Sequence, residues 1–151
     1  MQSAAKPQYR ASDVHYFADD ARASVAMNLG TAYPDEAGIV RWNRTLTLDR
    51  SADRIRLNED FQLQKQVPVQ LSFMTPRIPT QGAKGKIVFT AAEKPARDVT
   101  LSYDAELITP TIEKIDLTDD WLVERWGKTI YRVLLTSVAP TDNGKWGIEF
   151  A

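Results

Sequence analysis

The chain has 151 residues, 43% hydrophobic and 26% charged, ordinary globular usage that excludes an intrinsically disordered polymer and favours one domain. Lys plus Arg number 19 and Asp plus Glu number 20, for a net charge of -1, so no global field draws the chain to nucleic acid or to an anionic membrane. Cysteine is absent, which excludes disulfide frameworks, thiolate zinc sites and thiol nucleophiles.

Residues 1–22 are expected to form a partly irregular N-terminal extension. Its opening, MQSAAKPQYR, lacks the apolar stretch of a signal peptide and reads as the start of an excised segment. Within it, Ser12 or Asp13 is placed to cap a short turn of helix through Val14, Phe17 and Ala18. From Ala23 onward the dominant signal is alternation of apolar and polar residues, the period of a strand with one dry and one wet face.

Candidate strands run Ala23–Leu29, Ile39–Leu48 and Arg54–Gln64; in the last, Ile55, Leu57, Phe61 and Leu63 alternate with polar residues. Glu59 interrupts that dry face, and a bend or bulge is one way to accommodate it. Val67, Val69, Leu71 and Phe73 continue the pattern, with Pro68 marking a strand start or an edge. Lys86–Thr90, Val99–Tyr103, Leu107–Ile115, Trp121–Trp126, Thr129–Val138 and Lys145–Phe150 complete the set.

Turn-forming clusters separate these segments, among them Tyr33-Pro34-Asp35, Glu93-Lys94-Pro95 and Pro140 to Gly144. The Asn143-Gly144 pair carries the strongest hairpin signal. The expected fold is therefore all-β, an antiparallel β-sandwich of about ten strands over residues 23–151, with at most one short helix near the N-terminus. No apolar run reaches the roughly 18 residues of a membrane-spanning helix.

Chemistry-bearing residues are sparse. His15 is the single histidine, near Asp19 and Asp20; it reads either as a metal ligand or acid/base group or, more plainly, as a structural residue, since a site needs convergent partners. The adjacent pairs Asp19-Asp20, Asp35-Glu36 and Asp119-Asp120 fit turn and cap chemistry better than paired catalytic carboxylates, which must face each other across a cleft. Trp146 alternates with Ile148 and Phe150 as a core face does, whereas charged neighbours make Trp121 and Trp126 candidates for a surface platform on which a sugar could stack. Arg41 and Arg44 belong to an arginine-rich first half suited to carboxylate or sulfate groups, or to a solvated face with scattered ion pairs. Phosphate loops, nucleophile elbows and paired-histidine zinc helices are missing, so no catalytic residue is assigned.

One set of segments goes beyond pattern. Met27-Asn28-Leu29-Gly30-Thr31-Ala32-Tyr33-Pro34, then Val40 to Leu48, then Ile55-Arg56-Leu57-Asn58-Glu59-Asp60-Phe61-Gln62-Leu63, and later Trp126-Gly127-Lys128-Thr129-Ile130-Tyr131-Arg132-Val133-Leu134-Leu135, resemble strand-and-turn motifs of the heparinase II/III-like polysaccharide lyases. The corresponding family patterns are dLt.AYp, a strand with tryptophan or valine before an arginine, v.l.D.f.l, and Wg..l.Ri.l. Asn28 stands where the family usually has aspartate.

The resemblance implies the C-terminal β-sandwich of an enzyme that cleaves uronic-acid polysaccharides by β-elimination. Its partners would be an N-terminal α/α toroid of the same polypeptide, carrying the catalytic residues, and an acidic polysaccharide such as heparin, heparan sulfate or alginate. It further implies a periplasmic or secreted location and a divalent metal, Zn or Ca, in the full-length enzyme with His15 as a ligand; Arg41, Arg44, Trp121 and Trp126, read from the residues above, are the candidate substrate contacts. His15 lies farther from Ala32-Tyr33 than the family spacing, and the remaining ligands would come from outside this chain. A stand-alone carbohydrate-binding module and a purely structural interaction domain are the alternatives.

Overall fold

Alternating segments satisfy their backbone groups by pairing edge to edge, which gathers their dry faces on one side of a sheet, and they do so in a computed structural model that describes residues 9–91 and 96–151. The fold is all-β and of the antiparallel sandwich class, with eleven strands and one short α-helix among the described residues. The expected turn at Glu93-Lys94-Pro95 lies outside the described residues. Two compact units make up the chain: Met1–Val67 with Pro140–Ala151, and Pro68–Ala139.

The first unit is a sheet of order β1-β2-β3-β4-β11, formed by β1 (Ser12–Ala18), β2 (Arg22–Asn28), β3 (Ile39–Asp49), β4 (Arg54–Val67) and β11 (Thr141–Phe150). On its dry face Leu57, Phe61, Trp146 and Ile148 are buried, in register with Leu46 and Trp42 of β3. Phe61 is the centre of this core. Its ring stacks on Trp42 at a 5.1 Å centroid distance and meets Trp146 edge-on at 5.3 Å. Farther along the same face, Tyr16, Val25, Leu46, Leu48 and Ile55 line a shallow apolar depression of about 290 Å3 that stays open.

The second unit carries β5 (Gln70–Thr75), β6 (Pro79–Gln81), β7 (Lys86–Phe89), β8 (Val99–Tyr103), β9 (Ile108–Asp116), α1 (Asp120–Trp126) and β10 (Thr129–Ser137). β6, β7 and β8 pair in that order, and β10 lies between β5 and β9. Ile87, Phe89 and Leu101 are buried on the former group, and Leu71, Ile108, Val133 and Leu135 on the latter. Phe73 is half-buried, and Val67 is exposed at the end of β4.

Three expectations are corrected. The residues Ser12–Ala18 form strand β1 and not a turn of helix; pairing with β2 satisfies backbone groups that a helix so short would leave open. Asp19 then closes the hairpin, its carboxylate accepting from the backbone N–H groups of Ala21 at 2.9 Å and Arg22 at 2.6 Å. The helix lies instead at Asp120–Trp126, read above as a strand. Asp119 caps it by accepting from Leu122 N–H at 3.0 Å, and Gly127 with φ 82° ends it, the start and stop chemistry of a helix.

The third correction concerns Asn143-Gly144, which is no hairpin turn. Both residues lie inside β11, opposite Gln62 and Phe61. A Cβ on Gly144 would come within 2.6 Å of the Phe61 ring, so the glycine serves close packing and leaves room for the aromatic.

Candidate functional site

Because β2, β3, β4 and β11 are in continuous register, their wet-face residues fall into rows that cross the sheet. Ala26, Thr45, Asn58 and Gly147 form one row. Asn28, Asn43, Asp60 and Lys145 flank it on one side, and Ser24, Thr47, Arg56 and Glu149 on the other. The short side chains and the glycine make a floor between higher walls. This shallow groove has a volume of about 390 Å3, with Asn43, Thr45, Asn58, Asp60, Lys145 and Gly147 around it.

Charge along the walls is internally organised. Arg41 reaches Asp60 at 2.7 Å, and the Lys145 ammonium lies 3.9 Å from the other oxygen of that carboxylate. In the opposite wall Glu149 accepts from Arg56 at 2.9 Å and Arg54 at 3.3 Å. The hydrogen bond from Arg56, reinforced by the charge of Arg54, holds the Glu149 carboxyl below its ordinary value of 4.5. Asp49 is lowered chiefly by the backbone N–H of Ala52 and the Ser51 hydroxyl, and Asp116 by the Thr129 hydroxyl and Lys114.

These depressed carboxyls set the sign of an acid response. Below the unfolded-state values the unfolded chain binds protons that the folded chain resists, so the stabilisation is present above those values and is lost as pH falls through the lower folded ones. Urea midpoints should therefore stay level from neutral pH to about 5 and drop at lower pH. Glu149→Gln should make that drop shallower; an identical acid slope in the variant would exclude Glu149 from it.

On the other face of the same strands sits a buried charge. Glu59 is 1% exposed. Its Oε2 accepts from Trp42 Nε1 at 2.6 Å, and its Oε1 from Arg44 Nε at 2.7 Å and from a terminal guanidinium nitrogen at 2.6 Å. No bulge or bend accommodates it: β4 runs in register through Asn58, Glu59 and Asp60 against both neighbours. Cross-strand donors satisfy the carboxylate, and no buried side-chain polar atom among the described residues lacks a partner.

Within the first unit the two anticipated arginine contacts face opposite ways. Arg41 lies on the wet face beside Asp60, whereas Arg44 lies on the dry face against Glu59. Trp121 and Trp126 belong to α1 in the other unit, both exposed, with the Arg125 guanidinium 5.2 Å from the Trp121 ring centre. His15 is exposed on β1 opposite Ala26. No group of three residues able to hold a metal occurs among the described residues, so a metal at His15 would need ligands from elsewhere. No described helix is long and apolar enough to cross a membrane.

The fold and its two-faced sheet define an antiparallel β domain with a dry aromatic face and a polar transverse groove. No family model matches the chain, and no curated protein matches it.

Proposed function

We propose that this chain is the non-catalytic β-sandwich domain of a heparinase II/III-like polysaccharide lyase, whose catalytic α/α toroid belongs to the same polypeptide. The observation that carries this reading is the convergence of the motif positions. Trp42 and Arg44 from one motif strand and Glu59 and Phe61 from the next meet in a single hydrogen-bonded and stacked cluster. The turn that precedes them, Gly30–Ala32, buries Ala32, so three of the four segments behind the resemblance belong to one structural unit, while Trp126–Leu135 belongs to the other.

The chemistry of elimination agrees with a dependent role. A base must take the proton next to the uronate carboxylate while that carboxylate is neutralised; the electron pair then forms the new double bond as the glycosidic oxygen leaves. Here the single imidazole, His15, is exposed on a strand that pairs only with β2 among the described residues. The open apolar strip of Tyr16, Val25, Leu46, Leu48 and Ile55 has the character of a surface that meets another protein domain. A periplasmic or secreted location follows from this reading, as does an acidic polysaccharide as the partner.

The test is direct. Incubated with heparin, heparan sulfate or alginate, the isolated chain should release no ultraviolet-absorbing unsaturated uronate, and the full-length polypeptide that encodes it should. Turnover by the isolated chain that is abolished by His15→Ala, or an inactive full-length polypeptide, would refute the proposal.

A further inference from the structure

Gly147 occupies the interior of β11, opposite Asn58, and neither packing nor backbone conformation explains it. Its φ is not positive, unlike those of Gly38, Gly85 and Gly127. A Cβ built there would meet only Asn58 Oδ1, at 3.6 Å, an ordinary contact. Gly144, three residues earlier on the same strand, is the counterexample, since its Cβ would collide with Phe61. Glycine weakens a strand interior, and where it has no packing role it marks close approach of something else to the backbone.

That approach is from the wet side, onto the groove floor. Asn43, Thr45 and Asn58 surround the glycine, and none of their side chains makes a hydrogen bond to another described residue. Two carboxamides and a hydroxyl each offer both a donor and an acceptor, the combination that vicinal sugar hydroxyls require. The wall beside them carries the cations Arg41 and Lys145 against the single carboxylate of Asp60, which leaves one positive charge in surplus. Lys145 is the adaptable one, 82% exposed and at the edge of ion-pair range.

We infer that this groove is a binding site for an anionic sugar ring, a hexuronate lying flat over Gly147, with its hydroxyls on Asn43, Thr45 and Asn58 and its carboxylate on Lys145. The position rests on the glycine and the free polar groups; the choice of a uronate among anionic sugars rests on the lyase-domain reading.

Calorimetric titration of the chain with a short oligomannuronate, and with a cello-oligosaccharide of equal length as the neutral control, tests it. The wild type should bind the oligouronate in preference to the neutral oligomer. Gly147→Leu should remain folded by circular dichroism yet bind at least about tenfold more weakly, a loss of roughly 1.4 kcal/mol. Lys145→Met should weaken the oligouronate by about tenfold and erase the preference over the neutral oligomer. If Gly147→Leu does not fold, the exposed pair Asn43→Ala and Asn58→Ala together should give the same loss. Absence of oligouronate binding by the wild type, or folded groove variants that bind as the wild type does, would overturn the assignment. Groove-dependent uronate binding in a chain whose full-length polypeptide has no lyase activity would uphold the site and refute only the lyase reading.

Discussion

Arg44→Ala should destabilise the first unit by about 3 kcal/mol, the low end of the range for removing one partner of a buried ion pair, because Glu59 is buried while the Arg44 side chain is 33% exposed. The large cost comes from what is left behind. Glu59 is excluded from water, and without the guanidinium its Oε1 would lose its donors, while Trp42 Nε1 still engages Oε2. Urea unfolding followed by tryptophan fluorescence reads the change. Arg44→Met combined with Glu59→Leu removes both charges at once and should recover most of the loss, because an apolar pair of suitable volume can replace a buried salt bridge at little cost. A single variant within about 1 kcal/mol of wild type would mean that water reaches Glu59.

Phe61→Ala should cost a comparable 3–5 kcal/mol, the usual range for emptying a buried aromatic position. The site is poorly able to collapse. Trp42 and Trp146 contact different sides of the ring, and Gly144 has no side chain with which to fill the space. Because Trp42 also donates to Glu59, Phe61→Ala and Arg44→Ala share a partner and should not add independently. A loss below about 1 kcal/mol would show that the tryptophans close over the gap.

Most of the strand framework was legible because alternation is a local property. Ile39–Asp49 and Arg54–Val67 could be read from their own residues, with ends shifted by a few positions. Errors arose where a local signal competed with a partner distant in sequence. Asn143-Gly144 has ideal turn chemistry, yet pairing with Gln62 and Phe61 claims it for a strand. The apolar residues of Trp121–Trp126 suggest a strand, although Asp119 and Gly127 carry the cap and stop signals of a helix.

The same division applies to the candidate site. That Arg41 and Arg44 face opposite ways follows from their odd spacing on a strand, and this was available in the sequence. The groove was not, because Asn58 meets Gly147 only through the register between β4 and β11. Glu59 looked like an interruption for the same reason: its donors, Trp42 and Arg44, stand on the neighbouring strand.

The first unit is discontinuous along the chain, and this governs the order in which it can be made. β1 to β4 are synthesised before Pro68–Ala139, and β11, which pairs with β4 from Ile55 to Val67, is synthesised after it. Until then Leu57 and Phe61 have neither Ile148 nor Trp146 beside them, and β4 presents an unpaired edge. The whole of Pro68–Ala139 is contiguous and can assemble during that interval. Closing so long a loop adds little to the entropic cost, which grows only logarithmically with length, but late non-local pairing slows folding. The nascent β4 edge is consequently exposed to misassociation until β11 has been made.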